Sequence, residues 1–302
     1  MLKKFCLIIL LACFSKKSSA QGESNVPYQS LVAINPSFAG SNGLLRNQTF
    51  AQTPIEALLN SFSINNVFDA YLTSLKSGVA FTARYYERSL NYSSSTGSFS
   101  FAKYFTVKQN LNIIPSIQVG YTTNQINEGY NANTVFLQPG TNSNWVSAGY
   151  FSLNGGLLIN YKNFYGGVSV FNMNRPDVGI YSEQKTNPLF KIHASYNLRL
   201  SDNWLFNLYG QYSTQKKYEN QSVTINALIL KHLIYGVGYR WRDAAFMNVG
   251  CRTNYFVVQL VYNKNSSSPA FSESNQDYWQ FIMSFNLRNK EQRNSITNFE
   301  AW

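Results

Sequence analysis

Apolar and polar residues alternate with a period of two over most of this 302-residue chain, in runs of about ten. The clearest run sets Phe190, Ile192, Ala194, Tyr196, Leu198 and Leu200 against Lys191, His193, Ser195, Asn197 and Arg199. A second sets Trp204, Phe206, Leu208 and Tyr212 against Asn203, Asn207 and Gln211, and a late one sets Trp279, Phe281, Met283 and Phe285 against Gln280, Ser284 and Asn286. Successive side chains of a strand point to opposite faces, so this period predicts strands, each with one apolar and one polar face. The pattern predicts about fourteen of them, near 43–50, 57–66, 77–86, 94–106, 110–122, 150–162, 164–173, 189–200, 203–213, 220–230, 232–241, 244–252, 254–262 and 278–288.

Runs of ten residues exceed the usual length of a soluble strand and match the nine to eleven residues that cross a bilayer at a tilt. An outer face of Tyr, Phe, Trp, Leu and Val all round would not suit a soluble surface, which argues against a secreted β-sandwich or a lipocalin-like binder. Connection lengths point the same way. Short turns at Lys108-Gln109, Lys162-Asn163, Ser201-Asp202, Lys231 and Thr253 alternate with long connections near 123–149, 174–188 and 263–277. One connection that should be short, near 67–76, reads as long. The fold expected is all-β: a transmembrane up-and-down antiparallel β-barrel over 43–288, with short periplasmic turns and long extracellular loops.

The first residues add a destination. Lys3 and Lys4 precede an apolar stretch from Phe5 to Phe14, and Ser18-Ser19-Ala20 offers a small-residue cleavage site, so 1–20 reads as a signal peptide with Gln21 as the mature N-terminus. A competing lipobox-like reading of Leu10-Leu11-Ala12-Cys13 would place a lipid on Cys13. Either way the chain is exported. Residues 21–42 form a periplasmic lead-in or plug, and 289–302 a periplasmic tail.

Composition changes the picture little. Aromatic residues make up 16% of the chain and charged ones 13%, which fits aromatic girdles around a polar interior. Cleavage removes four of 25 Lys+Arg and none of 14 Asp+Glu, leaving 21 − 14 = +7. These basic residues are scattered and the chain is exported, so nucleic acid is not an expected partner. Only Cys251 lies outside the signal, which leaves no intramolecular disulfide.

Chemistry is sparse. His193 and His232 lie on different strands with no metal-ligand spacing, paired carboxylates are missing, and no nucleophile elbow is present. No catalytic, cofactor or metal site is expected, although a membrane hydrolase built on His193 or His232 is a remote alternative. Binding is the better expectation. Tyr130, Phe136 and Trp145 sit in the predicted loop 123–149, Phe271 in 263–277, and Phe299 and Trp302 in the tail. A passive porin is the alternative, with Lys191, Arg199, Arg240 and Arg242 in the lumen favouring anions.

Three stretches carry a resemblance. They are Ile34-Asn35-Pro36-Ser37-Phe38-Ala39-Gly40-Ser41; Arg46-Asn47-Gln48 with Pro54; and the hairpin Asn154-Gly155-Gly156-Leu157-Leu158 through Phe164-Tyr165-Gly166-Gly167-Val168-Ser169-Val170, followed by Arg175-Pro176. Together they resemble the PorP/SprF family of outer-membrane proteins of type IX secretion and gliding in Bacteroidetes. Departures are Thr49, where the family has Trp after Arg-x-Gln, and the missing Gly before Ala-Pro. The resemblance implies a non-enzymatic outer-membrane protein that helps a secreted, adhesin-like surface protein with a C-terminal sorting domain reach or stay at the cell surface, or links periplasmic ring or lipoprotein components to the outer membrane. In the first stretch, Asn35-Pro36 and Ala39-Gly40 are turn chemistry around an aromatic Phe38. They suit either a compact lead-in bracing the periplasmic end or a simple loop into the first strand.

Overall fold

The computed structural model describes residues 30–43, 45–54, 61–88, 92–127, 145–216, 218–241, 244–253, 255–265 and 277–287. Alternation builds the wall. β1 (Leu45–Pro54), β2 (Ser61–Leu72), β3 (Ser77–Arg88) and β4 (Tyr92–Lys103) are followed by β5 (Phe105–Lys108), β6 (Leu111–Asn127), β7 (Trp145–Tyr161) and β8 (Phe164–Phe171). The second half is β9 (Leu189–Ser201), β10 (Trp204–Gln215), β11 (Tyr218–Ile229), β12 (Leu233–Arg240), β13 (Ala244–Arg252), β14 (Phe256–Asn265) and β15 (Tyr278–Leu287). Each strand pairs antiparallel with its neighbours in sequence, except that β4 and β5 do not pair with each other. β4 and β5 both pair with β6 and form one strand interrupted at Tyr104, while β1 pairs with β15 from Leu45↔Leu287 to Pro54↔Tyr278. The sheet therefore closes as a fourteen-stranded antiparallel barrel.

The faces segregate as the alternation predicts. On β9, Phe190, Ile192, Tyr196 and Leu198 are exposed on the outer wall while Lys191, His193, Ser195 and Asn197 are buried inside. On β15, Trp279, Phe281 and Phe285 face out while Gln280, Ser284 and Asn286 face in. No helix among the described residues is long and apolar enough to cross a membrane; the strands do so.

Two expectations need correction. The second strand runs from 61 to 72, not 57 to 66, and the connection to β3 is the short turn at 73–76. Its alternation is masked because Val67 and Tyr71 are buried inside while Phe68 and Leu72 are exposed outside, so both faces read as apolar. Trp145 is also not a loop residue. It opens β7 and pairs with Asn127, one residue pair beyond Tyr92↔Ile126, where β4 begins. The first seven residues of β7, Trp145 to Phe151, include no buried one, so no apolar core face marked them in the sequence.

The inner wall is not uniformly polar. Towards the short-turn end, Val67, Tyr71, Ala80, Ala102, Tyr104, Ile114, Leu158 and Tyr165 form one buried cluster, and Leu205, Leu228, Ile234 and Val257 form another. An apolar floor thus lines that end of the barrel from the inside.

Candidate functional site: the inner segment and its seat

Residues 30–43 lie inside the barrel, against this floor. Ser30 caps a four-residue helix, α1 (Leu31–Ile34), by accepting from the Ala33 N–H at 3.1 Å. Asn35 then caps the 3₁₀ turn Pro36–Phe38, its Oδ1 accepting from the Ser37 N–H at 2.9 Å. Pro36 fits the first position of that turn because it has no N–H to leave unsatisfied. Gly40 follows at φ +71°, a conformation that disfavours any side chain. Val32, Asn35, Ser37, Phe38, Ala39 and Ser41 are all fully buried.

Specific wall groups hold each part. The Asn35 amide nitrogen donates to the Leu157 and Val168 carbonyls at 3.2 and 3.1 Å and lies 3.1 Å from His193 Nε2. Ser169 donates its hydroxyl to the Ile34 carbonyl at 2.7 Å, and the Ser37 and Ser116 hydroxyls are 2.8 Å apart. Phe38 meets Tyr165 edge-on at 5.4 Å and lies 5.2 Å from the His193 ring. Tyr104 donates to the Ala39 carbonyl at 2.8 Å.

A buried ion pair completes the seat. Arg46 Nε donates to Asp69 Oδ1 at 2.6 Å and Nη2 donates to Oδ2 at 3.1 Å, while Oδ2 also accepts from the Gly40 N–H at 3.0 Å. Both side chains are almost fully buried. Asp69 thus joins the first two strands to the inner segment, using the bidentate geometry that a guanidinium favours.

Two wall glycines make the approach possible. A Cβ on Gly156 would stand 2.0 Å from Asn35 Oδ1, and one on Gly78 would stand 1.8 Å from the Ala39 carbonyl oxygen. No side chain fits at either position while the segment is seated.

The five motif residues Asn35, Pro36, Phe38, Ala39 and Gly40 are thereby brought together, and Arg46 from the second motif and Gly156 from the third join them. Ser169 and Tyr165, from the third motif, also reach the segment, whereas Asp69 and Tyr104 were missed by sequence reasoning. A signal was present: doubled apolar residues such as Ile113-Ile114, Leu157-Leu158 and Leu233-Ile234 break the period where the inner face becomes apolar. Among the other candidates, Trp145 stands half-exposed at the start of β7. Tyr130, Phe136, Phe271, Phe299, Trp302 and Arg242 lie outside the described residues, as do the signal segment and the tail. Lys191 and Arg240 are buried in the wall, but Arg199 is exposed at the short-turn rim, because β9 ends two residues later. His232 sits at that same rim, its Nδ1 3.0 Å from the Arg252 carbonyl oxygen. Among the described residues no three His, Cys, Asp or Glu side chains converge as metal ligands would.

A closed barrel with an apolar outer wall and a polar lumen defines an outer-membrane β-barrel protein. The family model described as the type IX secretion system membrane protein PorP/SprF matches residues 27–285, and the chain belongs to that family. Among solved structures, the outer-membrane protein Omp33 of Acinetobacter baumannii is similar over 81% of this chain and 98% of its own, at 10% identity and a TM-score of 0.50. That likeness is one of fold alone. The toluene transporter TbuX of Ralstonia pickettii covers 89% of this chain and 95% of its own at 10% identity, with a TM-score of 0.42. No curated protein matches the chain.

Proposed function

We propose that the protein is a non-enzymatic docking barrel of type IX secretion, plugged at its periplasmic end by residues 30–43. The observation that carries this reading is what the family motif does: its residues are spent on seating a segment inside the barrel. A diffusion pore has no use for Asn35, Phe38 and Gly40 in its lumen. In this reading the short turns are periplasmic and meet the secretion machinery together with the tail. The long loops face outward and hold a secreted, adhesin-like protein by its C-terminal sorting domain.

The β6–β7 ribbon supports the outward-facing role. β8 covers β7 only from Gly155 to Tyr161. Above it, the loop after β8 borrows part of the β7 edge, with the Met173 N–H donating to the Leu153 carbonyl at 2.8 Å and Asn174 bonding to Phe151 and Leu153. The rest of the β7 edge that β8 leaves uncovered thus offers backbone, with Trp145 and Phe151 exposed beside it, to a partner.

The test is tagged purification from outer membranes in mild detergent, with co-purifying proteins identified by mass spectrometry. Near-stoichiometric recovery of a large secreted protein or of ring components is the expected result. A partner-free barrel with a steady anion-selective conductance would overturn the reading in favour of a porin.

A further inference from the structure

Each of the six short turns carries a cation in or beside it: Lys76, Lys108, Lys162, Arg199, Lys231 and Arg252. Against them stands one described carboxylate at that rim, Asp202. The opposite end is mixed, with Glu87, Asp177, Glu183, Glu219 and Asp277 among its basic residues. Positive charge of one sign at one rim therefore does not follow from the basic composition alone.

Its position is set by the apolar wall. Outward-facing Tyr161, Phe164, Trp204 and Leu233 are exposed within one or two residues of their turns. The turn tips themselves carry Leu75 and Leu230, each 55% exposed, directly followed by Lys76 and Lys231. A tilted strand advances roughly 2–3 Å per residue along the membrane normal, so no polar collar separates these lysines from the hydrocarbon edge. A bilayer edge on this apolar band would put them in the headgroup layer. Lys162 makes the same point, its Nζ 5.3 Å from the centroid of the outward-facing Tyr161 ring.

Backbone conformation adds a second observation. Lys76, Lys162 and Lys231 sit at φ of 46°, 53° and 63°, in the left-handed region where Gly or Asn would be less strained. Three turns thus keep lysine where turn geometry alone favours another residue, as Arg175 and Lys216 do at the opposite end.

We propose that the short-turn rim is a binding surface for the anionic phosphate headgroups of phospholipids in the leaflet on that side. The apolar turn tips enter the hydrocarbon edge and the lysines bridge phosphates around the barrel. A soluble acidic protein would not account for the exposed leucines between the cations. This proposal needs the barrel to span a membrane and does not depend on the docking function, so the two can fail separately.

The test uses the full chain purified in mild detergent, presented with phosphatidylglycerol and phosphatidylcholine in equal amounts, with retained lipid read by native mass spectrometry. The wild type should retain phosphatidylglycerol preferentially. Lys76→Gln/Lys108→Gln/Lys162→Gln/Lys231→Gln together should lower that preference at least about tenfold. Arg175→Gln/Lys185→Gln/Lys264→Gln at the other end should leave it unchanged. Equal retention of the two lipids by the wild type, or an unaltered preference in the rim variant, overturns the proposal. Complete displacement by inorganic phosphate alone would also overturn it, by making the rim a free-phosphate site. Loss of a co-purifying protein with lipid preference intact would make it a protein-docking surface instead. Should the rim variant not fold, amine-reactive labelling of the wild type in vesicles decides. Protection of the four lysines in phosphatidylglycerol but not in phosphatidylcholine supports the proposal, and equal labelling removes it.

Discussion

Asp69 is the residue on which the inner segment turns, because one carboxylate serves Arg46 on β1 and the Gly40 N–H at once. Asp69→Ala should destabilise the barrel by about 3–5 kcal/mol, since it strands a buried guanidinium and leaves a buried N–H unpaired. Thermal unfolding in detergent checks this. Adding Arg46→Gln should restore part of the loss, because the stranded charge goes with it. Asn35→Ala removes donors from two wall carbonyls and from His193, and should cost roughly 1–3 kcal/mol, concentrated in the segment. Hydrogen exchange should therefore speed up over 30–43 while amides of β9–β15 keep their protection. A uniform increase across the barrel would contradict the local seat.

Among elements, the loop between β8 and β9 carries its own pH dependence. The Asp177 carboxylate accepts from the Gln184 N–H at 2.7 Å and from the Gly179 N–H at 3.0 Å, and these bonds lower its pKa below the usual carboxylate value. A depressed folded pKa contributes order that is complete above the unfolded value and is lost as pH falls through the folded one. Protection of the Gly179 and Gln184 amides, measured against their intrinsic exchange at each pH, should fall only in acid, and Asp177→Ala should bring the low protection to neutral pH. The strands themselves were legible wherever one face met lipid and the other a polar lumen, as in β9 and β15. Legibility failed at both extremes of burial. At the floor both faces are apolar, which hid the second half of β2, and at the start of β7 no residue from Trp145 to Phe151 is buried, which hid Trp145. The motif residues were legible as a group, but their seat was not. Asn35 and His193 are 158 positions apart, and nothing local in the sequence joins them.

At the scale of the whole molecule, the plug reading predicts an electrically silent barrel. The full chain in planar bilayers should show no steady conductance, and deletion of 30–43 should introduce one; a silent deletion variant would mean that the wall alone closes the lumen. The close fit between segment and wall also has a consequence for inheritance. Gly78 is free of a side chain because the Ala39 backbone lies against it, and Gly156 because the Asn35 side chain does, so Asn35 finds its acceptors only where Gly156 leaves room. None of these positions can change alone without a clash or an unmet hydrogen bond. Among descendants of one ancestor they should therefore be lost together or kept together, across more than a hundred residues of intervening chain. A lineage with a bulky residue at 156 should show a rewritten turn at 35–40, and its barrel should be seated differently at the same end.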